Sequence, residues 1–181
     1  MSNYTPTSDA RPAPEQYHIL NATLSITADA ATTEGEYLVL TRQAGSADVR
    51  ERASQNIEAD ATGLDPEAVD THEQSEVFHV IACEARLHVD GREQTPGPGT
   101  SGYVSGGEVH GFANDGEEVR RVIAVTTPGG VEGFVREAGQ PTGDRTLPDP
   151  IEPTEEMLQS PFATGGRHGF EFPGPLPERG G

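Results

Sequence analysis

The stretch DTHEQSEVFHV, Asp70 to Val80, sets an acid, a histidine and a second acid at short spacing before an apolar run. On extended backbone alternate side chains share a face, which pairs Asp70 with His72, and Glu76 with Phe78 and Val80. A second histidine, His110, stands in GEVHGFAN, just before Asn114. Brought together, Asp70, His72, Glu76 and His110 offer two imidazoles and two carboxylates. That donor set suits one divalent transition metal (Fe, Mn, Ni, Cu or Zn). Two histidines with a carboxylate match the open non-haem iron arrangement. Without a metal, Asp70 and Glu76 would face each other as like charges, and one would take a proton or turn to solvent.

The segments that must position these side chains read as strands. YHILNATLSITA and GEYLVLTRQA are rich in strand formers, as are EVFHVIAC and VRRVIAVTTP. EARLHVDGRE ends one strand in Asp90-Gly91, a hairpin signal because that turn needs positive φ. TPGPGTSGYVSGGEVHGF holds short strands between glycines and prolines. Many short strands with Gly/Pro-rich turns imply an all-β sandwich or barrel. The expected organisation is a loose arm over residues 1–15, a barrel over 16–140, and a proline-rich extension over 141–181 that packs on the barrel. Within that extension PTEEMLQSPF can form one short helix and GFEFPGPLPERGG an extended tail. The acidic stretch 45–67 fits either a strand or a short helix in its VRERASQNIEA part.

Charge narrows the partners. The chain of 181 residues carries 30 acids against 12 basic residues, for a formal charge of -18, and every basic residue is arginine. Such a surface repels nucleic acid and anionic membranes, so neither is expected as a partner. The lysine-free, acid-rich composition is similar to that of proteins from salt-loving archaea, where salt screens the self-repulsion. One cysteine, Cys83, excludes an internal disulfide and a cysteine-based zinc cluster; it reads as a small buried apolar filler. The N-terminal residues lack the basic start and apolar run of a signal peptide, and no stretch is long enough to span a bilayer. A cytoplasmic protein is the expectation.

These residues resemble the cupins, small double-stranded β-helix (jelly-roll) barrels. Their second motif has the form G-x(5)-P-x-G-x(2)-H-x(3)-N. Here it reads GTSGYVSGGEVHGFAN, through Gly99, Gly107, His110 and Asn114, with Ser105 in the proline's place. Their first motif has the form G-x(5)-H-x-H-x(3,4)-E-x(6)-G. His72 and Glu76 fall on its second histidine and its glutamate, Asp70 on its first histidine, and Cys83 on its last glycine. Gly63 sits one residue upstream of the pattern. TTPGGVEGFVREAGQP with RHGFEFPGPLPE is similar to single-domain cupins related to quercetin 2,3-dioxygenase.

The resemblance implies His72, Glu76 and His110 as metal ligands and Asp70 as a possible fourth. Asp70 is balanced between weak ligand and solvated residue, because aspartate is shorter than histidine. The resemblance also implies Glu76 as a base that activates an enolic or phenolic substrate toward O2. Phe78, Val80 and Phe112 would line the pocket. The rival expectation is an inactive cupin that binds a small molecule or serves as a structural homodimer. A metal-dependent isomerase is a third reading. Elsewhere, Asn114 reads as a turn residue, His79 and His88 as outer-face residues, and His18 and His168 as histidines without a constellation around them.

Overall fold

The computed structural model describes residues 13–20, 22–44, 68–113, 118–148 and 154–175. Most of the N-terminal arm, the acidic stretch 45–67 including Gly63, and Asn114 lie outside the described residues. Among the described residues, twelve strands and two helices follow in order: β1 (Glu15–Ile19), β2 (Ala22–Ala28), β3 (Leu38–Ala44), β4 (Ala68–Thr71), β5 (Ser75–Ala82), β6 (Arg86–Val89), β7 (Arg92–Gln94), β8 (Ser101–Val104), β9 (His110–Ala113), β10 (Arg120–Thr127), α1 (Val131–Ala138), β11 (Gln140–Thr142), α2 (Glu155–Arg167) and β12 (Glu171–Pro175).

The strands form two antiparallel sheets. The 7-stranded sheet runs β11-β1-β2-β3-β10-β5-β8, and the 5-stranded sheet runs β12-β4-β9-β6-β7. Among the described strands three of the ten pairings join sequence neighbours (β1-β2, β2-β3 and β6-β7); the other seven are crossovers, which close the sheets into a double-stranded β-helix. Alternation decides which face is inside. On β10, Arg120, Val122, Ala124 and Thr126 are buried while the residues between them are less so. On β5, Phe78 and Val80 are buried while Val77 and Ile81 are exposed. Leu38, Leu40, Phe78, Leu87 and Val104 fill the core between the sheets. The Asp90-Gly91 turn forms as expected, with both residues at positive φ and Val89 paired to Arg92.

The C-terminal region enters the barrel rather than only resting on it. β12 pairs with β4 in the smaller sheet, and β11 pairs with β1 in the larger. α2 is longer than the expected short helix, with Thr154 as N-cap accepting from the Met157 N–H and with Pro161 inside it. α1 was not expected. Its sequence, VEGFVREA flanked by glycines, has poor helix propensity. The helix forms because Val131 and Val135 bury one face against the core. Glu132 adds a second tether, accepting from the N–H groups of Gly130 at 2.8 Å and Ala30 at 3.0 Å. Arg136 holds the exposed side, bonding Glu15 at 2.8 Å and Asp29 at 2.5 Å.

Candidate metal site and cavity

Four expected site residues converge. Asp70 on β4 and His110 on β9 are direct cross-strand partners, which puts their side chains on one face. His72 follows β4, and Glu76 is the second residue of β5. Nε2 of His110 lies 3.4 Å from Oε2 of Glu76, and Nε2 of His72 lies 3.6 Å from the same oxygen. Oδ2 of Asp70 is 4.0 Å from each of the two Nε2 atoms. The two rings stand edge to face with centroids 5.1 Å apart. Both imidazoles are buried, His110 at 3 % exposure and His72 at 5 %.

The glycines of GTSGYVSGGEVHGF set this convergence. The loop from β8 to β9 lies against the turn from β4 to β5. A Cβ on Gly106 would stand 2.0 Å from the carbonyl oxygen of Glu73, so only glycine fits there without movement. Gly107, at φ +84°, donates its N–H to the His72 carbonyl at 2.8 Å. Gly106 donates to the Ser75 hydroxyl at 3.1 Å. Ser105, standing where the family pattern has proline, uses the N–H that proline lacks to bond the Glu108 carboxylate at 2.7 Å. The carbonyl of Glu108 then meets Nδ1 of His110 at 3.0 Å. Nδ1 therefore carries the proton in the neutral ring, and Nε2 presents its lone pair to the cluster.

The donor set fits a divalent transition metal. Two ligands each about 2.1 Å from a metal lie roughly 3.0 Å apart at a right angle and roughly 3.4 Å apart at the tetrahedral angle. The Glu76 contacts are near those values; Asp70 is farther out and would have to move inward. Asp70, His72 and His110 each offer a ligand atom within 4.8 Å of the others. His72 differs from His110 in its support. Its Nδ1 is buried with no hydrogen-bond partner, and the Phe170 ring, at 4.9 Å between centroids, holds it by packing instead.

The electrostatics are those of crowded, enclosed charges. Burial alone would lower the His110 pKa, but the bond to Glu76, the charge of Asp70 and the Glu108 carbonyl hold it up at about 9. Burial pushes the Asp70 carboxyl upward, only partly opposed by the two histidines. Burial also acts to raise Glu76, yet the contacts with His110 and His72 bring it below the usual carboxylate value. Without a metal, the cluster is a protonated His110 facing an ionised Glu76.

The cluster lines a cavity of about 220 Å³. Phe78 and Phe112 are also on its wall, 4.1 Å apart between ring centroids. Val80 is not. It faces inward and is buried at 2 %, but it lies farther along β5, where its backbone bonds Gly99 and Thr100. Parity gives the face and not the depth. The residues not anticipated close the other side: Phe134 from α1, Phe162 from α2, Phe170 just before β12 and Phe172 within it, with Arg42 and Arg120 on the wall. The alternation of Phe170 and Phe172 in GFEF was a signal of inward-facing aromatics. The guanidinium of Arg120 sits 5.8 Å from the Phe112 ring centroid and bonds the Ala113 carbonyl.

Two other residues depart from expectation. Cys83 is not a buried filler: it is partly exposed, at φ +60°, with Sγ 3.1 Å from Glu118. That contact raises its pKa first, and burial adds to it. The positive φ shows why the pattern has glycine at this position. His168 does have partners, since its Nε2 meets Glu137 at 2.6 Å beside Arg167, which joins α2 to α1. His79 is on the outer face, bonded to Ser101 at 2.9 Å. His88 is half-buried on β6, between inward Leu87 and Val89. The His18 ring meets the Thr146 carbonyl at 3.3 Å.

Residues 61–126 match the family model described as the cupin domain. That segment is a cupin domain. No curated protein sequence matches the chain. Among solved structures it is similar to an RmlC-like cupin from Shewanella frigidimarina, at 14% identity over 71% of this chain and 92% of that one, with a TM-score of 0.46. It is similar to KdgF from Halomonas sp., at 14% identity over 60% of this chain and 79% of that one, TM-score 0.42. A third is a predicted oxalate decarboxylase from Thermotoga maritima, at 12% identity over 64% of this chain and 92% of that one, TM-score 0.46. Among the described residues, no helix is long and apolar enough to cross a membrane.

Proposed function

We propose that this cupin is a metal-dependent oxygenase, of the quercetin 2,3-dioxygenase-like kind, acting on a small enolic or phenolic compound with O2. His72, His110 and Glu76 would hold one divalent transition metal, with Asp70 as an outer fourth donor. The observation that carries this reading is one Glu76 oxygen 3.4 and 3.6 Å from two buried Nε2 atoms at the wall of an aromatic cavity. When bound, the metal would supply Lewis-acid polarisation and a redox partner for O2.

The chain's own residues do the rest. Phe78 and Phe112 give the substrate ring an apolar wall, and the phenylalanines of α1, α2 and β12 keep water out. Glu76, ionised beside His110, accepts the enol or phenol proton at a carboxylate oxygen. Arg42 on the same wall favours an anionic substrate over a neutral one. Dioxygenation places both oxygen atoms in the product, so no external reductant is needed. The lysine-free composition supports working conditions of high salt.

The test is oxygen uptake by protein reconstituted separately with Fe(II), Mn(II), Ni(II), Cu(II) and Zn(II), against acetylacetone and catechol as probes. Uptake with a redox-active metal, absent with Zn(II) and in Glu76→Gln, is the expected result. No uptake with any metal refutes the oxygenase. A second reading, a catalytically inactive ligand-binding cupin, is favoured by the 4.0 Å reach of Asp70. It expects a folded, metal-free barrel that still binds a small aromatic compound.

A further inference from the structure

The β1–β2 hairpin holds a residue whose type does not suit its backbone. Ile19 pairs with Ala22, which leaves a two-residue turn, and the first residue of that turn, Leu20, sits at φ +51°. Such turns favour asparagine, aspartate or glycine, because leucine is strained in the left-handed region. Among the described residues, the non-glycine residues at positive φ are Leu20, Glu34, Cys83 and Asp90. Of these, Leu20 alone lines the cavity of the candidate site. Extended backbone sends successive side chains to opposite faces, yet Ile19 and Leu20 are both on that wall. The left-handed turn is what brings Leu20 to it.

We propose that Leu20 is a specificity-determining residue, which limits the cavity to single-ring enols and phenols and turns away fused-ring ones. The proposal rests on the reading of this cavity as the substrate's seat, and not on the metal or on oxygen. The first argument is size. A cavity of about 220 Å³ lies below the roughly 300–1,000 Å³ of pockets that take drug-sized ligands, so a single ring fills most of it. The second is position. His72, His110 and Phe78 are buried and close one end. Leu20, Pro161, Phe162 and Phe172 line the same cavity while half-buried, so they stand where its wall reaches water. The third is rigidity. The rings of Phe162 and Phe172 meet edge to face, 4.7 Å between centroids. A Cβ on Gly165 would stand 2.5 Å from the Phe172 ring, so α2 presses on that ring and keeps it in place. Leu20, on a short turn, is the side chain that a longer ligand meets and must displace. The turn itself does not call for leucine, since glycine or asparagine would relieve its angle. An apolar side chain kept at a strained angle on a cavity wall acts on what enters the cavity.

Binding of phenol and of 2-naphthol to the full chain tests it, by titration calorimetry without oxygen so that nothing turns over. The larger probe buries more apolar surface, so an unobstructed cavity would bind it more tightly. The wild type is expected to bind phenol, and to bind 2-naphthol no more tightly. Leu20→Gly and Leu20→Asn suit the left-handed turn, so their melting temperatures should equal or exceed that of the wild type. Each should tighten 2-naphthol by at least about tenfold and move phenol by less than about threefold. A wild type that binds 2-naphthol about tenfold more tightly than phenol, or that binds neither probe, overturns the proposal. Variants that leave the preference between the probes unchanged overturn it equally, and a fall in their melting temperature would then make Leu20 a structural residue. A lack of oxygen uptake with any metal refutes the oxygenase but leaves this binding result standing.

Discussion

The segments that meet at the candidate site, Ala68–Cys83 and Gly99–Ala113, are built to different tolerances. In the second, each glycine of the pattern has a backbone reason. Gly99 and Gly107 take positive φ, and Gly106 lets the loop touch Glu73. In the first, two pattern positions are replaced with different consequences. Cys83 occupies a left-handed conformation that glycine would take without strain, and the strand survives. Asp70 keeps the cross-strand partnership with His110, but its oxygen stops at 4.0 Å from each imidazole. The fold tolerates a strained residue at a strand end; a shortened side chain at a donor position changes the chemistry while leaving the fold alone.

The largest expected effect breaks the comparison at its well-built side. His110→Ala should lower transition-metal affinity by at least 100-fold, read as metal per chain after gel filtration, while the melting temperature of the metal-free protein changes far less than a core deletion would cost. Gly106→Ala comes next. Its Cβ cannot fit at 2.0 Å from the Glu73 carbonyl, so the loop must move away from His72. A loss of about 2–4 kcal/mol in urea unfolding is expected, together with weaker metal binding.

Proton linkage sharpens the same comparison. In the metal-free protein His110 holds its proton to about pH 9, against an ordinary value of 6.5. A raised pKa gives stability that is complete below the ordinary value and is lost as pH rises through the folded one. The metal-free barrel should therefore lose on the order of a few kcal/mol between pH 6.5 and 9. Metal affinity should rise over the same window, because binding displaces that proton. Paired thermal melts with and without Zn(II) read both slopes. A metal-free melting temperature that climbs across this range would contradict the His110–Glu76 pairing.

The smallest effect belongs to the tolerant segment. Cys83→Gly relieves the positive φ and removes the contact to Glu118. A gain of roughly 0.5–1 kcal/mol is expected, with metal content unchanged.

Sequence reasoning reached the site better than its enclosure. The spacing from Gly99 to His110 fixes a loop held by its own backbone N–H groups, at Ser105, Gly106 and Gly107, so the inward direction of His110 was legible. Period-two alternation gave the inner face of β5 and β10. It could not say that Val80 lies beyond the cavity, because alternation carries no information on position along the barrel axis. α1 was invisible because its stability comes from burying Val131 and Val135, not from its glycine-flanked sequence. The partner of His168, Glu137, is far away in sequence and is brought near only by the packing of α2 on α1. Cys83 was misjudged because residue type was weighed without the backbone angle of its position.

The central claim, that two imidazoles and Glu76 form one metal site, is tested most directly by titrating metal-free protein with Co(II) and following its visible absorption. The expected result is saturation at one equivalent, with the signal lost in both His72→Ala and His110→Ala and shifted in Asp70→His. A spectrum that never departs from that of aqueous Co(II), or one that survives both histidine substitutions, would contradict it.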